Sequence, residues 1–268
     1  MDHIQDSDPN TGQQPGADNA VARTIGVLDL ISSRRDLTSA RQIAGELGLP
    51  KSSAYRILQS LQQTGAIEYE AESGSFRLGP SIARIGIQAL GGLGVRQLAR
   101  RFLEDLVDST NETASLSVRF GDTRTYVDVV ESPNILSARP PIGRPLPLLV
   151  GAPGRALSFP LADEEIHELL ERTSLSSYTT NTPVSPEEVW EGIEEARARG
   201  YAVARDEVIS GLATISAPVL ADDESVAGAI SVAGPSTRLS AEQLTDLAEP
   251  LWAATKAMAA ELSDRSFS

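Results

Sequence analysis

Between Thr38 and Leu78 the chain reads TSARQIAGELGLPKSSAYRILQSLQQTGAIEYEAESGSFRL: two helical patterns on either side of a three-residue turn. Few folds accept that arrangement. Ala40, Ile43, Ala44 and Leu47 recur at i, i+3, i+4, i+7, as do Ala54, Ile57, Leu58 and Leu61, so each segment carries one apolar stripe. Gly48-Leu49-Pro50 is too short to let the helices lie antiparallel, and a steep crossing makes them a helix-turn-helix. The local chemistry agrees. Ser39 and Gln42 have the spacing of a capping box. Gly48 can adopt the left-handed conformation that ends a helix, and Pro50 suits the first turn of the next.

Burying the second stripe leaves Lys51, Ser52, Ser53, Tyr55, Arg56 and Gln59 facing outward. These are cations and hydrogen-bonding groups of the kind that read base edges and hold phosphates. The runs Ala66–Glu70 and Ser75–Leu78 flank a turn and predict a small wing, where Arg77 is placed to meet a phosphate or the minor groove. With a preceding helix over Asn19–Ser33, residues 19–79 are predicted as a winged helix-turn-helix domain that binds double-stranded DNA. Helix pairs of this kind also occur in all-α domains that touch only protein. The alternative is therefore a ligand-binding or scaffold protein whose winged domain makes protein contacts.

Charge taken as a total opposes DNA binding, because the net charge is −14. It is unevenly distributed: residues 1–18 carry −4, residues 19–80 carry +1 and the remainder −11. The acidity thus belongs mainly to the second half, where it discourages nonspecific association with DNA. A domain at +1 implies modest, salt-dependent nonspecific affinity, with base contacts and dimerisation supplying the rest. Residues 1–18, MDHIQDSDPNTGQQPGAD, have almost nothing to bury and are expected to be a disordered acidic tail.

From Pro80 the segment SIARIGIQALGGLG predicts a linker helix over residues 80–94, with Ile82, Ile85 and Ala89 on one stripe. An apolar stripe needs a partner, either the same helix of a second copy or the neighbouring domain. Residues 95–263 then mix helices and strands: a helix over Val95–Ser109, strands over Thr113–Phe120 and Arg124–Glu131, and a proline-rich passage. A helix start at GAPGRALSF follows, with further helices over Asp163–Thr173 and Pro186–Arg199. Strands over Tyr201–Arg205, Ala213–Leu220 and Val226–Ala233 and a last helix over Ser240–Ser263 complete an α+β domain. If GAPGRALSF opens a helix, its free N–H groups near Gly151–Gly154 form an anion site; equally, the small residues simply let helix and sheet pack closely. Arg139, Arg144 and Arg155 are nearby cations in sequence, each expected to be solvent-exposed.

The inventory argues against catalysis. There is no cysteine, and of the two histidines His3 lies in the tail and His167 on the acidic helix DEEIHELLER, where a surface salt-bridged role is expected. That leaves no metal pair and no G-x-S-x-G elbow to accompany a triad. The glycines of GGLGVR follow no strand and so form no dinucleotide loop. No cofactor and no metal are expected. The absence of a long apolar run, and an N-terminus unlike a signal peptide, predict a cytoplasmic protein with no membrane partner.

In VARTIGVLDLI, LPKSSAYRILQSL and FRLG, and then in PLPLLVGAPGRALSF, ARARGYAVARDEVISGLATISAPV and GAISVAGPSTRLS, the chain resembles the IclR family of bacterial transcriptional regulators over roughly residues 19–262. The resemblance implies a dimer, or dimer of dimers, that binds near-palindromic operators as repressor or activator. It also implies a GAF-like domain that binds a small effector, often an organic acid or aromatic compound of a catabolic route. Carried over by position, the effector site comprises Gly151, Ala152, Gly154, Asp206, Thr214, Ser231 and Ala233. Thr214 stands where many relatives have cysteine and Ala233 where some acid-binding relatives have serine. Fewer polar groups argue against a very small polar acid and for a larger or more apolar ligand, a carboxylate among the candidates.

Overall fold

The computed structural model describes residues 20–34, 39–72, 74–91 and 94–266. The predicted acidic tail lies outside them. The chain divides into two compact units, residues 1–92 and 93–268.

The first unit contains α1 (Ala20–Ser33), α2 (Ala40–Glu46), α3 (Lys51–Gln63), β1 (Ile67–Glu70), β2 (Ser75–Leu78) and α4 (Pro80–Gly91). Its core joins Val27 and Ile31 of α1 to Ile43 of α2 and to Leu58 and Leu61 of α3, closed by Ala66 and Ile67. Ser39 caps α2 by accepting the Gln42 N–H at 3.3 Å. Its hydroxyl in turn donates to Gln42 Oε1 at 3.2 Å, so the reciprocal half of the predicted box is replaced by a side-chain pair. Gly48 has φ +61°, the left-handed conformation the turn requires. Pro50 sits at the N-cap of α3, one position before the first turn, with φ −58° and ψ 136°. β1 and β2 pair antiparallel with Tyr69 opposite Phe76, the rings meeting edge-on at 5.3 Å.

Of the predicted dimer stripe, Ile82 is half-buried against the core of its own unit, whereas Ile85 is 53% exposed. The side chain of Ala89 lies outside the described residues.

The second unit contains α5 (Gly94–Thr110), β3 (Thr113–Phe120), β4 (Thr123–Val130), β5 (Pro145–Pro147), α6 (Gly151–Ser158), α7 (Asp163–Arg172), α8 (Pro186–Arg199), β6 (Ala202–Arg205), β7 (Leu212–Leu220), β8 (Val226–Pro235), α9 (Ala241–Asp246) and α10 (Ala248–Ser266). One six-stranded sheet runs β5-β4-β3-β8-β7-β6, every pair antiparallel. The short β5 was hidden in the proline-rich passage; prolines are tolerated there because it is an edge strand. The predicted last helix breaks at Leu247 because Pro250 lacks an N–H and its ring opposes the carbonyl of Asp246.

Helices α5 and α10 pack on one face of the sheet, and α6 and α8 lie against the other. The second face has an unusual lining. Residues paired across strands share a face and alternate along each strand. The register therefore places Thr113, Ser115 and Ser117 of β3, Ser231 and Ala233 of β8, and Thr214 and Ser216 of β7 together beneath α6. The opposite face carries Leu116, Val118, Ile230, Val232 and Ile215.

Small residues let α6 approach closely. A Cβ on Gly154 would stand 2.0 Å from the Leu148 carbonyl oxygen, which no side chain permits. Gly45, exposed on α2, would meet nothing within 4 Å. Gly154→Ala is therefore expected to destabilise the second unit by about 3 kcal/mol, read by urea unfolding through Trp190 and Trp252, both of which lie in that unit. Gly45→Ala should stabilise the first unit by up to about 1 kcal/mol, and a stable G154A protein would contradict the packing described.

Candidate DNA-binding surface and effector pocket

Helix α3 buries Ala54, Leu58 and Leu61. The opposite side presents Lys51, Ser52, Tyr55, Arg56 and Gln59, all exposed, with Ser53 half-buried beside them. Tyr55 is 63% exposed, a large aromatic surface open to solvent. Arg77 of the wing is held between two carboxylates of β1: Nη2 lies 2.9 Å from Glu68 Oε2 and Nη1 3.3 Å from Glu70 Oε1. Exposed pairs of this kind are worth at most about 1 kcal/mol, so a phosphate could displace them at little cost.

In the second unit every residue of α6 is buried. Its N-cap, Val150, supplies no side-chain cap, and Pro153 has no N–H, so the N–H groups of Gly151 and Ala152 are left at the helix start without a capping side chain. Gly151 has φ +70° and packs against Val208 of the loop between β6 and β7. The residues carried over by resemblance fall into two groups. Gly151, Ala152 and Gly154 line the start of α6, while Thr214, Ser231 and Ala233 lie on the sheet face it covers, with Thr214 and Ala233 paired directly across β7 and β8. Ser231 Oγ is 2.8 Å from Ser216 Oγ, so its hydroxyl is already partnered. Asp206 is committed to its own hairpin: Oδ1 accepts the Gly211 N–H at 2.5 Å and the Ser236 hydroxyl at 3.2 Å, with the backbone at φ +58°.

The cations depart furthest from expectation. Arg155 was expected at the surface and is 5% exposed. Its Nη2 lies 2.7 Å from Glu207 Oε2 and its Nη1 donates to the Val203 carbonyl at 2.8 Å. Burial pushes the Glu207 carboxyl above its ordinary range, and the Arg155 charge and hydrogen bond pull it back. Arg139 is solvent-exposed and pairs loosely with Glu131 at 3.4 Å; Arg144 is also exposed.

Arg124, which sequence reasoning passed over, is 1% exposed. Its Nη2 donates to the Val150 carbonyl at 3.2 Å, and its guanidinium lies 5.1 Å from the centre of the Tyr126 ring. Its Nε and Nη1 have no hydrogen-bond partner. Burial raises the Tyr178 phenol above its ordinary value, while the charges of Arg124 and Arg144 act to lower it, so Tyr178 stands within electrostatic reach of this cation.

His167 is exposed, donates from Nδ1 to the Asp163 carbonyl at 2.7 Å and stacks on Trp190 at 4.4 Å; a ring–ring contact takes the place of the predicted salt bridge. Among the described residues no group of three or more His, Cys, Asp or Glu is placed to hold a metal ion, and no helix is long and apolar enough to cross a membrane.

A helix-turn-helix with a polar, exposed second helix, joined in one chain to an α+β unit with a polar interior face, defines a two-domain regulator of transcription. The comparisons specify which kind. The family profile described as the IclR helix-turn-helix domain matches residues 20–71, and that of the bacterial transcriptional regulator IclR C-terminal domain matches residues 87–260. The chain belongs to the IclR family, whose members are regulators that bind DNA and respond to small-molecule effectors, not enzymes. It is 29% identical over 236 residues to the HTH-type transcriptional repressor AllR of Escherichia coli (strain K12), covering 88% of this chain and 87% of that protein. A transcriptional regulator from Rhodococcus sp. RHA1 superposes with a TM-score of 0.77 at 26% identity, covering 91% of this chain and 97% of its own. An IclR homolog from Microbacterium hydrocarbonoxydans, complexed with 4-hydroxybenzoate, shares the fold with a TM-score of 0.77 at 22% identity, covering 91% and 99%.

The buried Arg155–Glu207 pair gives a direct test. Removing one partner leaves a buried charge, which typically costs about 3–5 kcal/mol, whereas replacing both with apolar groups is often neutral. Glu207→Gln should therefore destabilise the second unit by a few kcal/mol, and Arg155→Met with Glu207→Leu by much less, measured by urea denaturation. Equal losses would show that packing, and not charge compensation, dominates there.

Proposed function

We propose that this chain is a ligand-responsive repressor or activator that binds a near-palindromic DNA operator as a homodimer or a dimer of dimers, in the cytoplasm. The exposed polar row on α3 carries the reading: Lys51, Ser52, Ser53, Tyr55, Arg56 and Gln59 form a continuous surface whose reverse side is core. Inserted in a major groove, Arg56 and Gln59 meet base edges while Lys51 and the two serines meet phosphates. A dimer sets two such helices about 34 Å apart, one helical turn of DNA. Arg77 reaches a phosphate by exchanging Glu68 and Glu70 for it.

The second unit is the sensor. Its effector lies between the start of α6 and the sheet face bearing Thr214, Ser231 and Ala233, in a GAF-like arrangement. The 4-hydroxybenzoate bound by the Microbacterium homolog makes an aromatic acid a sensible first ligand class to try. Ile85 of α4, exposed and apolar, is available to a second copy. Effector binding then shifts dimer geometry, with a coupling typical of such systems, about 1–3 kcal/mol or roughly 5- to 150-fold in operator affinity.

The deciding experiment is capture of genomic fragments by the purified protein at near-physiological salt, followed by mobility shifts on the recovered sites. Arg56→Ala should lose operator affinity by at least about tenfold, consistent with about 1–3 kcal/mol per base contact, with its unfolding transition unchanged. Glu68→Gln with Glu70→Gln should raise affinity at low salt by freeing Arg77. An unchanged affinity for R56A would overturn the assignment of α3. No enriched sequence at all would favour a winged domain that contacts protein.

A further inference from the structure

Glycine in the middle of a helix costs stability relative to alanine, and α8 carries one at Gly192. A Cβ there would stand 2.7 Å from Nε of Arg155 and 3.4 Å from its Cδ and Cζ. That guanidinium is held in place. Nη1 donates to the Val203 carbonyl at 2.8 Å, and Nη2 meets Glu207 Oε2 at 2.7 Å. Position 192 is thus kept without a side chain by an arginine on the neighbouring helix.

The same glycine opens a space. A cavity of about 120 Å³ lies between α8, α6 and the ends of β6, several times what one ordered water needs. α8 lines it with Gly192, Glu195, Ala196 and Arg199, which at i, i+3, i+4 and i+7 form one stripe of the helix. Thr214, Ser231 and Ala233 take no part in it, so this cavity is separate from the sheet face beneath α6.

Its lining is charged and balanced. In depth stand Arg155, 5% exposed, and its partner Glu207. Arg199 Nη2 and Glu195 Oε2 form a second, exposed pair at 3.2 Å. Two cations and two carboxylates leave no net charge, yet one donor is unspent. Nε of Arg155 is buried, has no hydrogen-bond partner and faces the space over Gly192. A donor left free inside protein calls for an acceptor. A lone anion brought there would bury an unbalanced charge. A lone cation would do the same and leave Nε unmet. A molecule carrying both charges meets the donor and keeps the balance.

We propose that this cavity is a second ligand site, and that it takes a small zwitterion of the α-amino-acid type. The carboxylate lies on Arg155 Nε and Arg199, and the ammonium group on Glu207 and Glu195. The exposed Arg199–Glu195 pair is weak and opens at little cost. Arg155 belongs to α6 and the other pair to α8, so one bound molecule ties the two helices together. The site stands independently of the effector reading of the sheet face.

The test is isothermal titration of the full-length protein with glycine and L-alanine. Sodium acetate and methylammonium chloride, whose organic ions carry one charge each, are run beside them at matched ionic strength. Glycine or alanine is expected to bind saturably, one per chain, and the single-charge probes at least about tenfold more weakly. Tyr201 lines the cavity and packs edge-on against Trp252 at 5.6 Å, so tryptophan emission should shift along the same isotherm. Gly192→Ala fills the space before Nε and should abolish binding while the unfolding transition persists. Arg199→Gln, at an exposed position, should weaken binding about three- to fivefold, the scale of one exposed ion pair. It carries the test where G192A does not fold. Absence of saturable binding would make this a water-filled cavity and overturn the proposal. Acetate binding as tightly as glycine would overturn the zwitterion, and unchanged affinity in R199Q and in folded G192A would place the ligand elsewhere and overturn the site.

Discussion

A helix with no exposed residue has nowhere to turn for solvent, and α6 is such a helix. Its burial sets the terms for the whole second unit. The sheet beneath must be lined with small side chains, the preceding strand end must pass close enough that Gly154 touches the Leu148 carbonyl, and the N–H groups at its start need partners from within the protein or from a ligand. Arg124, Gly151 and the loop carrying Val208 all gather at that start.

The sheet meets these terms by alternation. β3 reads TASLSVRF and β8 reads VAGAISVAGP, so hydroxyl or small residues fall on the α6 face and branched apolar residues on the α5 and α10 face. Both faces are buried, but they do different work. The apolar face supplies hydrophobic burial, worth about 25 cal/mol per Å². The hydroxyl face contributes less to stability and in exchange offers close approach and hydrogen-bonding capacity, the qualities a binding site needs. Ser216 and Ser231 satisfy one another across β7 and β8, while Ser117 is left unpartnered near Arg124. Binding capacity is thus concentrated toward the β4 side of the face.

The first unit was legible because its signals are local. Helix stripes, a turn glycine and a wing hairpin each depend on residues a few positions apart, and all of them reappear within one or two residues of the predicted bounds. The strands of the second unit were legible for the same reason. What remained hidden was long-range. Arg155 finds Glu207 across 52 positions, which no local pattern reveals. The fate of Arg124 depends on a register slip in β4, and strict alternation along TRTYVDVV assigns it to the wrong face. The one available signal was a lone arginine inside a strand otherwise buried or half-buried, and it was ambiguous until the bulge was seen. Asp206, carried over by resemblance, also makes a contact no local pattern shows: its Oδ1 accepts from Gly211 N–H and from the Ser236 hydroxyl, 30 positions away.

The contacts hidden from local patterns are mostly those of charged groups. Charged groups inside the second unit are committed in pairs, Arg155 with Glu207 and Arg238 with the buried Glu112. Each pair ties segments distant in sequence. Arg124 is not tied in this way. It stands where β4 meets the N-cap of α6, donating to the Val150 carbonyl beside the Tyr126 ring, with Nε and Nη1 unbonded.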